Sequence, residues 1–454
     1  MNDDKKIEIF KTYSIPKAFL ALVIPTIISQ IIVIIYNYAD TWFLGKTNNS
    51  AAVAALAVCM PLFVILNAIA NLFGIGGSSL IARFLGGNKK EKACSVFAFS
   101  LYGSIIVAII YALIIFIFNK KIIYFAGGDE QTFNYCKDYI ITTVVIGGIP
   151  TILNNVLGHL VRSVGASKES SFGMGIGGIL NIILDPLFMF VILPKGNEVI
   201  GAAIATALSN LIATLYFIIY ISKNKNNGIF TLNIKNVSFD KEIVSNVLLI
   251  GFPAAIGTTL AMVSNIFVNK LLNEYGTNVI AGMGVAKKTN TLAFNICMGI
   301  TQGMLPFIAF NYAAKEYKRM KKGFFFMLAT SISFALIIMM LFKIFTSSFI
   351  TFFIKDEEVV KHGVSFLNII AYAVPLCALS FSINTFFQAL GKKVCSFILS
   401  ILRKGLFDIP LMFILKKNIG IYGVSIATPV AEIMAALIAI ILFLIIYKKT
   451  IKTE

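Results

Sequence analysis

The residues with the most chemical potential are a few carboxylic acids embedded in very apolar surroundings. Asp40 lies late in the first apolar segment, after a mostly apolar run from Ile24 to Ile35. Asn181 and Asp185 are spaced i, i+4, so a helix carries them on one face, one above the other. Pro186 follows at once and removes a backbone donor, leaving a carbonyl free to line a polar cavity. Thr206 adds a hydroxyl from the next apolar segment, and Asn154 and Asn155 stand as further candidates. Carboxylate, amide and hydroxyl oxygens suit a proton network or a hard cation such as Na⁺. A carboxyl in a poorly hydrated pocket can also take up and release a proton as the pocket opens. The plainer reading of Asn181, Asp185 and Thr206 is a polar cluster that glues helices together.

The second half of the chain carries charge differently. Glu432 lies between PVA and IMAALIAI, where it could attract a cationic compound or pair with a nearby lysine. Asp408 has Lys404 one helical turn before it and Arg403 close by, which favours a local charge pair. Lys270, Lys287 and Lys288 fit no obvious partner; snorkelling to an interface is the default for such lysines.

Other chemistries have little support. Six cysteines lie far apart without a CxxC, and they read as small apolar residues. The two histidines, His159 and His362, have no second catalytic group beside them. There is no GxxxxGK[ST] loop, so an ion gradient rather than nucleotide hydrolysis has to supply energy. No cofactor is expected.

The elements that position these residues follow from composition. Of 454 residues, 58% are hydrophobic and 13% charged, where soluble domains carry about 25% charged. Apolar runs of bilayer-spanning length recur throughout. They predict twelve helices near 15–44, 52–82, 94–118, 133–160, 170–193, 200–221, 243–273, 279–309, 323–353, 361–389, 395–415 and 420–447. An ionisable group inside such a span costs ~2.5–3.5 kcal/mol on insertion scales, so each needs a reason.

The net charge of +18 would point to nucleic acid in a soluble protein, but no basic arm interleaved with aromatics exists here. Lysine and arginine collect instead on alternate connections, such as Lys89, Lys90 and Lys92, then Lys315, Lys318 and Arg319. The opposite connections mix their lysines with acids such as Asp129, Glu130, Glu357 and Glu358. Both termini are therefore expected on the cytoplasmic side. The N-terminal run enters the first span without a small-residue cleavage site, so no cleaved leader is expected.

The chain also repeats itself. Pro25 pairs with Pro253, Pro150 with Pro375, and Gly165 with Gly391. NIILDPLFMF at 181–190 pairs with GLFDIPLMFIL at 405–415, and the segment from Gly201 to Thr206 with that from Gly423 to Thr428. The matches stay in order while the offset drifts from 228 to 222. Each repeat holds an even number of spans, so both insert the same way round. That predicts a pseudo-twofold axis along the membrane normal, with a binding site between the halves. The expected divisions are an N-terminal lobe at 1–221, a cytoplasmic linker at 222–242, a C-terminal lobe at 243–447 and a tail at 448–454.

Several segments, taken in register, resemble the multidrug and toxic compound extrusion (MATE) family, closest to its bacterial MepA-like branch. They are YADTWFLG at 38–45, RSVGASKESSFGM at 162–174, ILNIILDPLFMF at 179–190, GITQGMLPFIAFNYAAKEYKRMK at 299–321, FFQALGKK at 386–393 and LRKGLFDIPLMFIL at 402–415. The resemblance implies an all-α integral membrane protein with twelve transmembrane helices in two six-helix lobes. It implies export of hydrophobic or cationic organic compounds in exchange for H⁺ or Na⁺ across a bacterial inner membrane, by a chain expected to be a monomer. It assigns Asp40 to coupling, and Asn181, Asp185 and Thr206 to a cation site in the N-terminal lobe, which Asn155 or Asn154 of span four is a candidate to join. A branch that couples through acids in spans seven and ten finds no match here, which directs attention to the first lobe. Competing expectations are a flippase of lipid-linked sugar precursors and, further off, a membrane-embedded transferase. The first needs a cavity rich in Arg and Lys, and the second needs clustered acids or a histidine base.

Overall fold

A computed structural model describes residues 4–47, 50–225 and 228–451. A short amphipathic helix, α1 (Asp4–Lys11), precedes the first span. The spans that follow are α2 (Ile15–Gly45), α3 (Ser50–Gly86) and α4 (Lys90–Phe125). Next come α5 (Phe133–Ile140) with α6 (Gly148–Arg162), then α7 (Ser167–Pro186) and α8 (Glu198–Lys223). The second series begins with α9 (Lys241–Leu272), α10 (Thr277–Ala313) and α11 (Tyr317–Ile344). After the short α12 (Thr346–Phe353) come α13 (Glu357–Ile370) and α14 (Ala373–Ala389). The chain ends with α15 (Lys393–Ile401), α16 (Ile409–Ile419) and α17 (Ile421–Ile451). No strand occurs among the described residues.

Among the described residues, nine helices are individually long and apolar enough to cross a membrane. Two further crossings are bent pairs: α5 with α6 at 48°, and α13 with α14 at 43°. The run Lys393–Ile419, in which a π-turn at Leu402–Asp408 joins α15 to α16 without a break, lies over the remaining expected span, 395–415. Both bends precede a repeat-paired proline, Pro150 or Pro375, as expected where the ring removes a backbone donor. Span nine ends at Ile344 instead of 353. There the Thr346 hydroxyl donates back to the Phe342 carbonyl, and α12 starts as a separate helix.

The outward surfaces are apolar. Ile106, Ile110, Leu113 and Ile117 form an exposed stripe along α4, and Leu437, Ile441 and Leu444 one along α17. Stripes of this length are compatible with lipid and not with water.

The sequence repeat is a repeat of backbone detail. Asn88 and Lys315 both end a span in left-handed conformation, at φ 57° and 61°. Each is followed by the same long closing bond, Lys89 N to Phe84 O at 2.7 Å and Glu316 N to Asn311 O at 2.9 Å, which satisfies a terminal carbonyl. Gly165 and Gly391 likewise share positive φ, at 88° and 70°.

The helices gather into two compact units. One comprises residues 1–12 and 28–258, and the other 13–27 and 259–454. This differs from a division at the linker, because the first half of α2 groups with the second unit and the first half of α9 with the first. Glycine backbones explain it. A side chain on Gly251 of α9 would overlap the Leu72 carbonyl of α3, and one on Gly76 would overlap Val247. In the second unit, Gly303 of α10 brings that helix against Leu22 and Val23 of α2 in the same way. Gly76 and Gly303 hold corresponding places in the repeat, so each unit receives the leading half-helix of the other series.

Candidate functional site

In the first unit, α2 carries Tyr36 and Asp40 one turn apart, α7 carries Asn181 and Asp185 one turn apart, and α8 carries Thr206. The approach of α2 to α7 depends on Gly178, where a methyl would stand 2.6 Å from Ile32 Cγ2 and 3.1 Å from Tyr36 Cδ1. Across α8, Gly201 lies against Phe188 and Met189 of the π-turn that follows Pro186. Small residues thus bring three helices close enough for short polar side chains to meet.

The polar groups meet as follows. Asn181 Nδ2 donates to Asp185 Oδ1 and to Thr206 Oγ1, both at 3.2 Å. The carboxyl groups of Asp40 and Asp185 face one another within hydrogen-bonding reach. Asp185 is 0% exposed and Asn181 2%. Three buried oxygens here, Asp40 Oδ1, Asp185 Oδ2 and Asn181 Oδ1, accept no hydrogen bond. Among the described residues neither acid pairs with a lysine or arginine. Two facing like charges with shielded oxygens and no counter-ion are costly, and one shared proton or one small cation relieves them. The donors are hard oxygens. No group of three or more His, Cys, Asp or Glu able to hold a metal occurs among the described residues.

Span four contributes differently from expectation. Asn154 Nδ2 donates to Asn210 Oδ1 at 3.0 Å, and Asn210 Nδ2 in turn donates to the Thr206 carbonyl at 2.9 Å. Asn155 spends its amide on Thr151 O of its own helix at 3.0 Å, so it is Asn154 that reaches toward the cluster. Tyr36 and the buried Tyr139 lie within electrostatic reach of both acids. Neither tyrosine was singled out from sequence. The i, i+4 spacing of Tyr36 and Asp40 was the available signal for one, while Tyr139 sits on a span with no spacing relation to the site.

In the second unit, Asp408 and Glu432 are both 0% exposed and both paired. Lys404 Nζ stands 3.1 Å from Asp408 Oδ2 and 3.7 Å from Glu432 Oε1. Arg403 Nε donates to Glu432 Oε1 at 2.9 Å while its guanidinium lies 4.3 Å from the Phe381 ring centre. Ser264 donates to Asp408 Oδ2 at 2.8 Å and Thr428 to Asp408 Oδ1 at 3.1 Å. Lys287 donates to Asn265 Oδ1 at 2.8 Å and adds its charge near Asp408. Of the expected site residues, then, Asp40, Asn181, Asp185 and Thr206 come together in one unit. Asp408 and Glu432 come together in the other, already neutralised.

Comparison with known proteins agrees with the repeat. The MatE family profile matches residues 25–187 and 253–414, and its two stretches begin on the paired prolines Pro25 and Pro253. Multidrug export protein MepA of Staphylococcus haemolyticus is 30% identical over 437 residues, covering 96% of this chain and 95% of that one. The protein of the same name from Staphylococcus aureus strain MSSA476 is 30% identical over 452 residues, covering 99% and 98%. Among solved structures, an outward-facing MATE family transporter of the MOP superfamily matches with a TM-score of 0.92 over 99% of both chains, at 22% identity. The fold is the twelve-helix fold of those transporters.

Proposed function

This chain belongs to the MatE family, and from that premise we propose that it is a secondary active multidrug efflux transporter. It exports hydrophobic or cationic organic compounds in exchange for H⁺ or Na⁺ by alternating access, as a monomer in a bacterial cell membrane. It is a transporter and not an enzyme. The basic alternate connections support cytoplasmic termini, with lobes at 1–221 and 243–447 flanking the linker at 222–242 and a tail at 448–454.

One observation carries the coupling assignment: the buried Asp185 and the partly buried Asp40 face each other with no basic partner. Two unit charges ~4 Å apart repel by ~4 kcal/mol at an effective dielectric of about 20. One charge crossing 100 mV delivers ~2.3 kcal/mol. The two are comparable, so a single ion entering down its gradient is on the scale needed to switch this pair. With the ion bound, α2 and α7 hold together at Gly178. Without it, the ionised acids push Asp40 on α2 away from Asp185 on α7. Asn181 and Thr206 position Asp185, and Asn154 and Asn210 brace Thr206 from behind.

The test is ethidium efflux from proteoliposomes energised by a proton gradient and, separately, by a sodium gradient. Efflux that follows one gradient, and stops in Asp40→Asn and Asp185→Asn proteins that still fold, names the ion. Dye movement unaffected by either substitution removes the assignment.

A further inference from the structure

Duplication built the polar site twice, and the two copies differ at two positions that decide what each can hold. Counting from Pro25 and Pro253, Tyr36 and Asp40 on α2 correspond to Ser264 and Val268 on α9. Asp185 corresponds to Asp408, and Thr206 to Thr428. Asn181, four residues before Asp185, corresponds to Lys404, four residues before Asp408. Three correspondences are geometric as well as sequential: Asn181 and Lys404 both donate to their aspartate, Thr206 and Thr428 both join the cluster, and Ser264 touches Asp408 where Tyr36 attends Asp185.

The differences have opposite charge consequences. The first copy has two acids and no base. In the second, the second acid is replaced by the buried, apolar Val268, and the amide is replaced by an ammonium. Both oxygens of Asp408 are occupied, by Ser264 and Lys404 on one and Thr428 on the other. Asp185 Oδ2, by contrast, accepts nothing. The acids Asp408 and Glu432 are matched by Lys404 and Arg403, whereas Asp40 and Asp185 are matched by nothing in the described chain. A lysine ammonium is a compact monovalent charge with several donors. It supplies from within what the first copy must take from solution.

We propose that Lys404 is a tethered cation that fills the second half's copy of the coupling site, so that this transporter loads its driving ion in the first half alone. The proposal rests on the coupling reading of Asp40 and Asp185. Glu432 follows from the same logic. It stands where the first half has Asn210, and with Arg403 it forms a second ion pair beside the lysine.

The experiment counts cations bound by the purified full-length chain, using sodium-22 at pH 8 and proton uptake on acidification from pH 8 to pH 5, each read as a difference between variants. The Asp185→Asn protein tests the coupling reading by itself, since it should lose the one cation equivalent of wild type. Lys404→Asn restores the first-half amide at that one position and tests the tethered cation. It should gain one equivalent over its parent, in the wild-type and Asp185→Asn backgrounds alike, and lose it again when Asp408→Asn is added. Lys404→Gln serves where Lys404→Asn fails to elute as a single species. Asp408→Asn with Lys404 intact should leave the wild-type count unchanged, an arm that needs no lysine variant. The proposal is overturned if Asp408→Asn alone removes a cation, or if neither folded lysine variant gains one. A wild type that loads no cation sinks the coupling reading but leaves the gain in Lys404→Asn readable.

Discussion

Asn181 and Lys404 occupy the same place in the two halves, each one turn before an aspartate that its side chain bonds, at 3.2 Å and 3.1 Å. One is neutral and the other a cation. That exchange separates a site that needs an ion from a cluster that is complete without one.

Relief of like-charge repulsion is measurable without transport. In sodium-free buffer at pH 8, Asp40→Asn is expected to raise the unfolding temperature, because it removes one of two facing charges that have no counter-ion. A fall in unfolding temperature comparable to that of an ordinary buried substitution would mean that the pair is already compensated.

The second-unit cluster predicts the reverse. Glu432→Gln leaves the Arg403 guanidinium largely buried without its acid, and breaking such a pair costs ~3–5 kcal/mol. Replacing both residues, as Arg403→Met with Glu432→Gln, should recover part of that loss in a thermal melt. Equal destabilisation by the single and double variants would show that the arginine does not depend on the acid.

Gly178 sets the distance between the two coupling helices. Gly178→Ala places a methyl 2.6 Å from Ile32 Cγ2, and overpacking of this kind costs ~1–3 kcal/mol. The expected result is a folded protein whose gradient-driven efflux falls at least several-fold, with a larger deficit for Gly178→Val. Wild-type efflux in both would show that close approach of α2 to α7 is dispensable.

The helix α1 should detach at high pH. Burial alone would lower the Lys6 ammonium, but hydrogen bonds to Glu169 (2.8 Å) and the Tyr220 hydroxyl outweigh it and raise it above its ordinary 10.5. A base held more tightly when folded contributes its full stability below pH 10.5 and loses it as pH climbs through the raised value. Hydrogen exchange along α1 should therefore be flat to about pH 10 once corrected for intrinsic rate, then rise, and Lys6→Met should remove the step. A step that persists in Lys6→Met would place the titration elsewhere.

Much of this protein is readable from one dimension because a bilayer imposes length and polarity on every span. Eleven of the twelve apolar runs became single helices or bent pairs long and apolar enough to cross among the described residues, and the paired Pro150 and Pro375 became paired bends, since a missing backbone donor acts locally wherever it falls. Asp185 with Asn181, and Lys404 with Asp408, were legible for the same reason: helical spacing of four residues places side chains together before any packing is known.

Partners on separate spans were not legible. No spacing rule relates Asp40 to Asp185, Glu432 to Arg403, or Asn154 to Asn210; these meetings depend on how closely helices approach, and that is decided where glycines such as Gly178 leave room. The same holds for the leading halves of α2 and α9, which sequence assigns to their own series and close backbone contact at Gly303 and Gly76 assigns to the other unit. Sequence by itself determined which groups carry charge inside the membrane. Only the tertiary structure decided which of those charges are answered, because a salt bridge requires two side chains within a few ångströms and the chain order of distant residues carries no distance.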